Sequence, residues 1–280
     1  MNKIKLICDS LCDIPDEIAK KEYLEIIPLT VIFEDGEFKE GIEISKQEFY
    51  DRVKASGEIP KTSQATYIEF KEAFDRSLSE GYKIICITGS STASGTFQSA
   101  TIAKSDCEGD ISIFDTLTLS IGSGQYIMKA CELIEAGVEY ENIIDELEKL
   151  RESVNLIFVP STLTYLKQSG RVPGVTALIG NLLSIKPIFS MREGEIKLLE
   201  KVRGAKKVPS KMIEILTKFN EGIFEDKVVT IGCGANYEDV KGLEELVKEK
   251  IHAKKVMFAR GGVCICSHTG PDIIAISSSK

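Results

Sequence analysis

Residues Lys83–Ser105 read KIICITGSSTASGTFQSATIAKS. The opening KIICIT is a short apolar, β-branched run with no polar alternation, the pattern of a strand covered on both faces. A glycine and a dense run of hydroxyls follow, and TFQSATIAKS then reads as a helix. In open α/β sheets such a loop lies outside the carboxyl end of its strand, where ligands sit. A loop that runs into a helix N-terminus offers unpaired N–H groups and a partial positive charge, which suits an anion. Phosphate-binding loops place a lysine before the last hydroxyl. Here Thr96 follows Gly95 directly, so an anion would be held by hydroxyls and N–H groups alone. For this loop in isolation, Ser94 and Thr96 acting only as helix caps explain the residues at least as well.

The same rhythm extends both ways. KIKLIC reads as a strand, and DIPDEIAKKEY as a helix with Pro15 in its first turn. LEIIPLTVIF is expected to be extended, closed by the turn EDGE. SKQEFYDRVKAS is a helix carrying Ser45 and Glu48 as a capping box, and YIEFKEAFDRSLSEG an amphipathic helix ending at Gly81. ISIFDT is a strand, LTLSIGSGQYIMKACELIEAG a glycine-bearing segment, and YENIIDELEKLRESV a charged helix. Alternation of this kind implies a mainly parallel sheet in a three-layer domain, residues 1–153. From residue 154 to 280 the rhythm changes. KPIFSMREGEIKLL reads as a hairpin turning at REGE, two helices and a strand follow, and KVMFA, VCICS and IIAISS read as three short strands. The fold class expected is α/β in two domains, the second with a mixed or antiparallel sheet, and a ligand between them.

Composition narrows the function. The 280 residues carry a formal net charge of −8 and no Trp, which argues against nucleic acid. No apolar run approaches the roughly 18 residues of a membrane helix, and the first ten residues do not make a signal peptide. A soluble, cytoplasmic protein with reduced cysteines is expected. In VCICSHTG, Cys264, Cys266 and His268 alternate. On a strand they share a face about 7 Å apart, too far to close on one metal. Buried thiols beside a polar terminus are the better reading, and no metal is expected.

Four segments combine glycine or small polar residues: KTSQAT, SSTASGT, QSGRVPG and CSHTGP. Glycine permits close backbone approach and the hydroxyls donate and accept. A single such loop is ordinary; four invite a shared ligand. VTALIGNLLSIKPIF adds an apolar stretch with Leu178, Ile179, Leu182 and Leu183. It could wall an apolar pocket, although a plain buried helix fits these residues equally.

The motifs CDSLCDIP, IIPLTVIFEDG, KTSQAT, SSTASGTFQSA, FDTLTLSIGSG, TLTYLKQSGRV, LLSIKPI, KVRGAKK and SHTGP run nearly end to end. In these the chain resembles the DegV family, which includes the fatty-acid-binding subunits of bacterial fatty acid kinase. The resemblance implies a two-domain α/β fold sandwiching one long-chain fatty acid, with no other cofactor. It assigns the carboxylate to the hydroxyls of Thr62 and Ser94, with Arg171 and His268 beside them; Ser63 is added by adjacency. A carboxylate needs fewer donors than a triphosphate, which accounts for the missing lysine. It further implies a non-catalytic subunit that presents the acid to a separate ATP-dependent kinase, giving an acyl phosphate, with transient contact to a membrane surface. Lys201, Arg203, Lys206 and Lys207 would dock that partner, although an ordinary solvated face reads the same way.

The chain departs from the family pattern at Cys8, at Thr116, at Ala65 and Thr66 (TSQAT for the common TSQPS), and at Asp272. A carboxylate at Asp272 would repel an anionic head group if it pointed inward. Three other functions fit parts of the sequence. One is an acyl hydrolase with Ser94 as nucleophile and His268 as base, although ASGT is not the G-x-S-x-G elbow. The others are a small-ketone binder, from the fold shared with dihydroxyacetone kinases, and a lipid-sensing regulator without a kinase.

Overall fold

The computed structural model describes residues 3–160, 162–172 and 185–279. Its first sheet is four-stranded and wholly parallel, in the order β2-β1-β6-β7: Ile4–Asp9 (β1), Leu24–Ile27 (β2), Lys83–Thr88 (β6) and Ile111–Asp115 (β7). Alternate residues of a strand face opposite ways, and here both ways lead to protein. Leu6, Cys8, Ile85 and Ile87 pack with Tyr126, Ile127, Ile143 and Leu147, from helices α5 (Ser120–Glu135) and α6 (Tyr140–Leu150). Ile7, Ile84 and Cys86 pack with Phe70, Phe74, Ala100 and Ala103, from α3 (Tyr67–Ser79) and α4 (Thr96–Ser105). The three layers follow from apolar runs such as Ile84–Ile87, buried on both faces of the sheet.

A small antiparallel sheet, β4-β3-β5, stands beside it: Thr30–Phe33 (β3), Gly36–Lys39 (β4) and Lys61–Ser63 (β5). Three expectations are corrected here. LEIIPLTVIF is not one extended element: Leu24–Ile27 joins the parallel sheet and Thr30–Phe33 the small one, with Pro28, which has no N–H to donate, between them. KTSQAT is not wholly loop, since Lys61–Ser63 pairs with β3. DIPDEIAKKEY contributes a helix (α1) only at Asp16–Ala19. The capping box at α2 (Lys46–Ser56) has both its bonds, Ser45 accepting from the Glu48 N–H and Glu48 from the Ser45 N–H.

The second sheet is six-stranded and mixed, in the order β10-β9-β8-β13-β11-β12: Asn155–Val159 (β8), Ile185–Arg192 (β9), Glu195–Arg203 (β10), Val228–Cys233 (β11), Lys255–Arg260 (β12) and Ile274–Ser279 (β13). The β9–β10 hairpin turns through Glu193 and Gly194, both at positive φ, as a two-residue hairpin loop requires. One face is covered by α8 (Val208–Phe219) and α9 (Tyr237–Lys250). The other meets α5, α7 (Thr164–Ser169), α10 (Val263–Thr269) and the small sheet, in a cluster that joins Val31, Phe49 and Ile121 to Leu156, Phe158 and Phe189. Helix α5 lies between the two large sheets. Its glycines allow this: a Cβ on Gly124 would sit 2.2 Å from the Asp13 carbonyl oxygen, and one on Gly122 would sit 3.2 Å from the Leu156 Cβ.

VCICSHT is not a strand but helix α10. Its apolar residues fill every position from Val263 to Ile265 because the short helix is buried all round, so alternation carried no information about its period. The metal argument made for a strand therefore does not apply. Burial pushes both thiols, Cys264 and Cys266, well above their usual pKa, so both stay protonated.

Candidate functional site

Between the sheets lies a cavity of about 350 Å³. Leu11, Leu29 and Ile265 wall it on one side, Leu156, Phe158 and Met191 on another. At one end the polar groups gather. Thr62 and Ser63 come from β5, Ser94 from the loop before α4, Arg171 from just beyond α7, and His268 from α10. All five residues singled out for the head group line this one cavity, although they are spread over 207 positions of the chain.

Thr62, Ser94, Arg171 and His268 each have a defined setting. Thr62 Oγ1 and His268 Nε2 share a hydrogen bond of 2.8 Å. Ser94 accepts the Thr96 N–H at 3.3 Å and shares a 2.9 Å bond with the Thr96 hydroxyl, so it takes the first N–H of α4, whose N-cap residue is Gly95, while its side chain borders the cavity. The loop is tied by the Ala93 and Ser94 N–H groups, both donating to the Ser90 carbonyl at 3.1 Å. Arg171 donates from Nε to the Ala93 carbonyl at 3.4 Å and from Nη1 to the Ser169 carbonyl. The guanidinium thus bridges α7 to the hydroxyl loop. Burial first, and then the nearby Arg171 charge, hold His268 down to about 4, so its imidazole is neutral at pH 7.

Sequence reasoning passed over Gln64, Ser120, Ser169 and Thr269, which also line the cavity. Gln64 had a signal, because it stands inside KTSQAT. Its amide donates to Ser99 Oγ at 2.9 Å, and it lies so close to Gly95 that a Cβ there would be 2.0 Å from Gln64 Oε1. A side chain at this position would have to displace the Gln64 amide. Asp272 does not line the cavity; its carboxylate pairs with Lys54 at 2.8 Å. Leu178, Ile179, Leu182 and Leu183 lie outside the described residues. Lys201 and Arg203 are exposed on β10, an edge strand, and Lys206 and Lys207 are exposed in the following turn, Ala205–Lys207.

The geometry bears on the hydrolase reading. His268 Nε2 meets Thr62, whereas the Ser94 hydroxyl meets Thr96. A nucleophile–base pair needs a direct bond between the two, and these two side chains are each engaged elsewhere. No described helix is long and apolar enough to cross a membrane.

The family model described as "Uncharacterised protein, DegV family" matches residues 3–280. The chain belongs to the DegV family. A DegV domain-containing protein of Caldanaerobacter subterraneus is 31% identical over 278 residues, 99% of this chain and 98% of that one. Among solved structures, a fatty-acid-binding DegV family protein from Thermus thermophilus superposes with a TM-score of 0.92 at 28% identity, covering 99% of each chain. DegV, a fatty acid binding protein from Bacillus subtilis, gives 0.87 at 32% identity, covering 100% of this chain and 99% of that one. The DegV architecture, with a parallel N-terminal and a mixed C-terminal sheet, is therefore the architecture of this chain too.

Proposed function

We propose that this DegV protein binds one long-chain fatty acid between its two sheets and presents the carboxylate to a separate ATP-dependent kinase subunit. The observation that carries the reading is a single cavity with apolar walls and one polar end, where Thr62, Ser94, Arg171 and His268 meet. The described fatty acid binding of the Thermus and Bacillus relatives supports it. In this reading residues 1–153 and 154–280 are the two domains that close on the acid.

The chemistry divides between tail and head. Each buried methylene contributes about 0.8 kcal/mol, so the tail supplies affinity. A charge-assisted hydrogen bond supplies about 1.5–3 kcal/mol and fixes which end lies where. For Thr62 to donate to the carboxylate, its oxygen must accept from His268, so the neutral imidazole carries its proton on Nε2. Arg171 and His268 then lie where negative charge shifts as the carboxylate attacks a γ-phosphate. The kinase would dock on Lys201, Arg203, Lys206 and Lys207.

Native mass spectrometry of the purified protein, followed by extraction of bound lipid, tests the reading. One fatty acid per chain is expected. A protein that arrives empty and rejects added fatty acids would overturn it.

A further inference from the structure

Met191 stands where two cavities meet. It is 2% exposed, and it lines both the cavity of about 350 Å³ and a second one of about 320 Å³. Three segments of chain pass from the first cavity to the second within one or two residues. Leu119 lines the first and Leu117 the second; Leu156 the first and Val154 the second; Met191 borders both, and Arg192 the second alone. Residues two apart on a strand share a face about 7 Å apart, so Phe158 and Leu156 present one face of β8 to the first cavity, and Val154, just before the strand, lines the second. Leu156 pairs with Met191 across the β8–β9 ladder, which sets the methionine at the junction.

The compartments differ in kind. Beyond its head-group end the first is walled chiefly by apolar side chains, with Ser120 among them. The second is lined by Thr116, Thr118, Tyr126, Arg151, Arg192 and three glutamates. A hydrocarbon tail that crossed between them would exchange apolar contacts for a polar setting. Methionine is unbranched and adaptable, a side chain that fills irregular gaps.

We propose that Met191 is the stop that sets tail length: its side chain ends the hydrocarbon compartment and holds the terminal methyl out of the polar one. This rests on the fatty-acid reading and adds the residue that selects among fatty acids. Removing the stop joins the two spaces, so that longer saturated acids, and acids with a neutral polar terminus, gain a place to end.

The test is displacement of a fluorescent fatty acid by a ladder of saturated acids from dodecanoic to docosanoic, and by 16-hydroxyhexadecanoic acid. In the wild type, affinity is expected to rise with length and then drop at a limit, with the hydroxy acid rejected. Met191→Ala moves the limit to longer acids and admits the hydroxy acid with a gain of about tenfold or more. Met191→Phe moves the limit to shorter acids. An unmoved limit in both variants overturns the proposal. Should Met191→Ala fail to fold, Met191→Phe decides the matter by the same criterion. Wild-type protein that binds no acid of any length refutes the fatty-acid reading and this inference together, a result distinct from normal binding with an unmoved limit.

Discussion

Glu40 and Val263, 223 positions apart, are joined by a 2.6 Å hydrogen bond in which the Glu40 carboxylate accepts the first N–H of helix α10. The same carboxylate accepts the Cys264 N–H at 3.2 Å and the Ser10 hydroxyl at 3.0 Å. Glu40 follows β4, in the small sheet whose β5 carries Thr62, and α10 carries His268 near its other end. Sheet and helix are therefore fastened twice, once at Glu40 and once at the Thr62–His268 bond. Gly262 makes the first fastening possible, because a Cβ there would lie 2.5 Å from Glu40 Oε1.

Replacing Glu40 tests whether this fastening aligns the head-group end. Glu40→Ala leaves two buried N–H groups and a hydroxyl without their acceptor, at about 1–3 kcal/mol for each group left unsatisfied. Denaturant unfolding should show a loss of several kcal/mol. Fatty-acid affinity should fall as well, although Glu40 does not line the cavity. Glu40→Asp, which keeps the charge on a shorter arm, should recover part of both. Unchanged affinity in a folded Glu40→Ala protein would separate Glu40 from the site.

Thr62→Val and Ser94→Ala each remove one donor from the polar end. Each should weaken fatty-acid binding by about 1.5–3 kcal/mol, roughly ten- to more than a hundredfold. Fluorescent fatty-acid titration measures it. Full affinity in both variants would remove the carboxylate from this end of the cavity.

His268 gives the protein a pH dependence of known sign. Its folded pKa of about 4 lies below the ordinary 6.5. Between those values the unfolded chain binds the extra proton and the folded one does not. The stability it contributes is thus complete above about pH 6.5 and is lost as the pH falls toward 4, about 3 kcal/mol in all. Three buried acids act in the opposite sense, among them Glu40, whose carboxyl burial also raises. Burial raises Asp9 to about 7 and Asp13 to about 6, so their contribution is complete below about 4 and is lost as the pH rises through those values. The raw stability curve mixes all four. The difference in unfolding free energy between wild type and His268→Gln isolates the histidine and should shrink on going from pH 7.5 to 4.5; a constant difference would contradict a buried, neutral His268.

The hairpin tip is held to the hydroxyl loop by Gly194, whose N–H donates to the Leu117 carbonyl at 2.8 Å and whose carbonyl accepts the Thr92 hydroxyl at 2.6 Å. Its φ is +79°, and a Cβ would lie 2.6 Å from Thr92 Cγ2. Gly194→Ala should cost about 1–2 kcal/mol for the left-handed backbone alone, and more for the contact. Combining it with Thr92→Ser, which removes the opposing methyl, should return the second part only. If thermal unfolding shows that the double variant recovers nothing, the contact does not contribute.

Much of this was legible because burial on two faces leaves an unmistakable trace. KIICIT is apolar at the successive positions Ile84–Ile87 because both sides of its sheet are covered, and KIKLIC is so from Leu6 to Cys8, with Lys5 only half-buried before them. Ser45 and Glu48 could be paired because the capping box is closed within four residues. What escaped was set from far away. Nothing near VCICSHT marks it as a helix, since its first N–H groups find their acceptor in Glu40. Thr62 was legible as a hydroxyl in a motif, but its place in a strand depends on pairing with Val31. That Asp272 turns to Lys54 depends on α2, over two hundred residues away.

The proposed docking surface would present its charge on one face of an edge strand. Lys201 and Arg203 are two apart on β10, so they project from one face of the edge strand. Lys206 and Lys207 extend the positive charge just beyond it. Lys201→Glu combined with Arg203→Glu reverses two charges on an exposed strand and touches no residue of the cavity. Lipid extraction should therefore find the same acid bound, while phosphorylation of that acid by the kinase subunit should fall steeply, with a loss that deepens at low ionic strength where charge repulsion is least screened. Like-charge contact at a rim chiefly slows association, so raising the kinase concentration should restore part of the rate. Phosphorylation at the wild-type rate with a normal lipid load would place the kinase on another face.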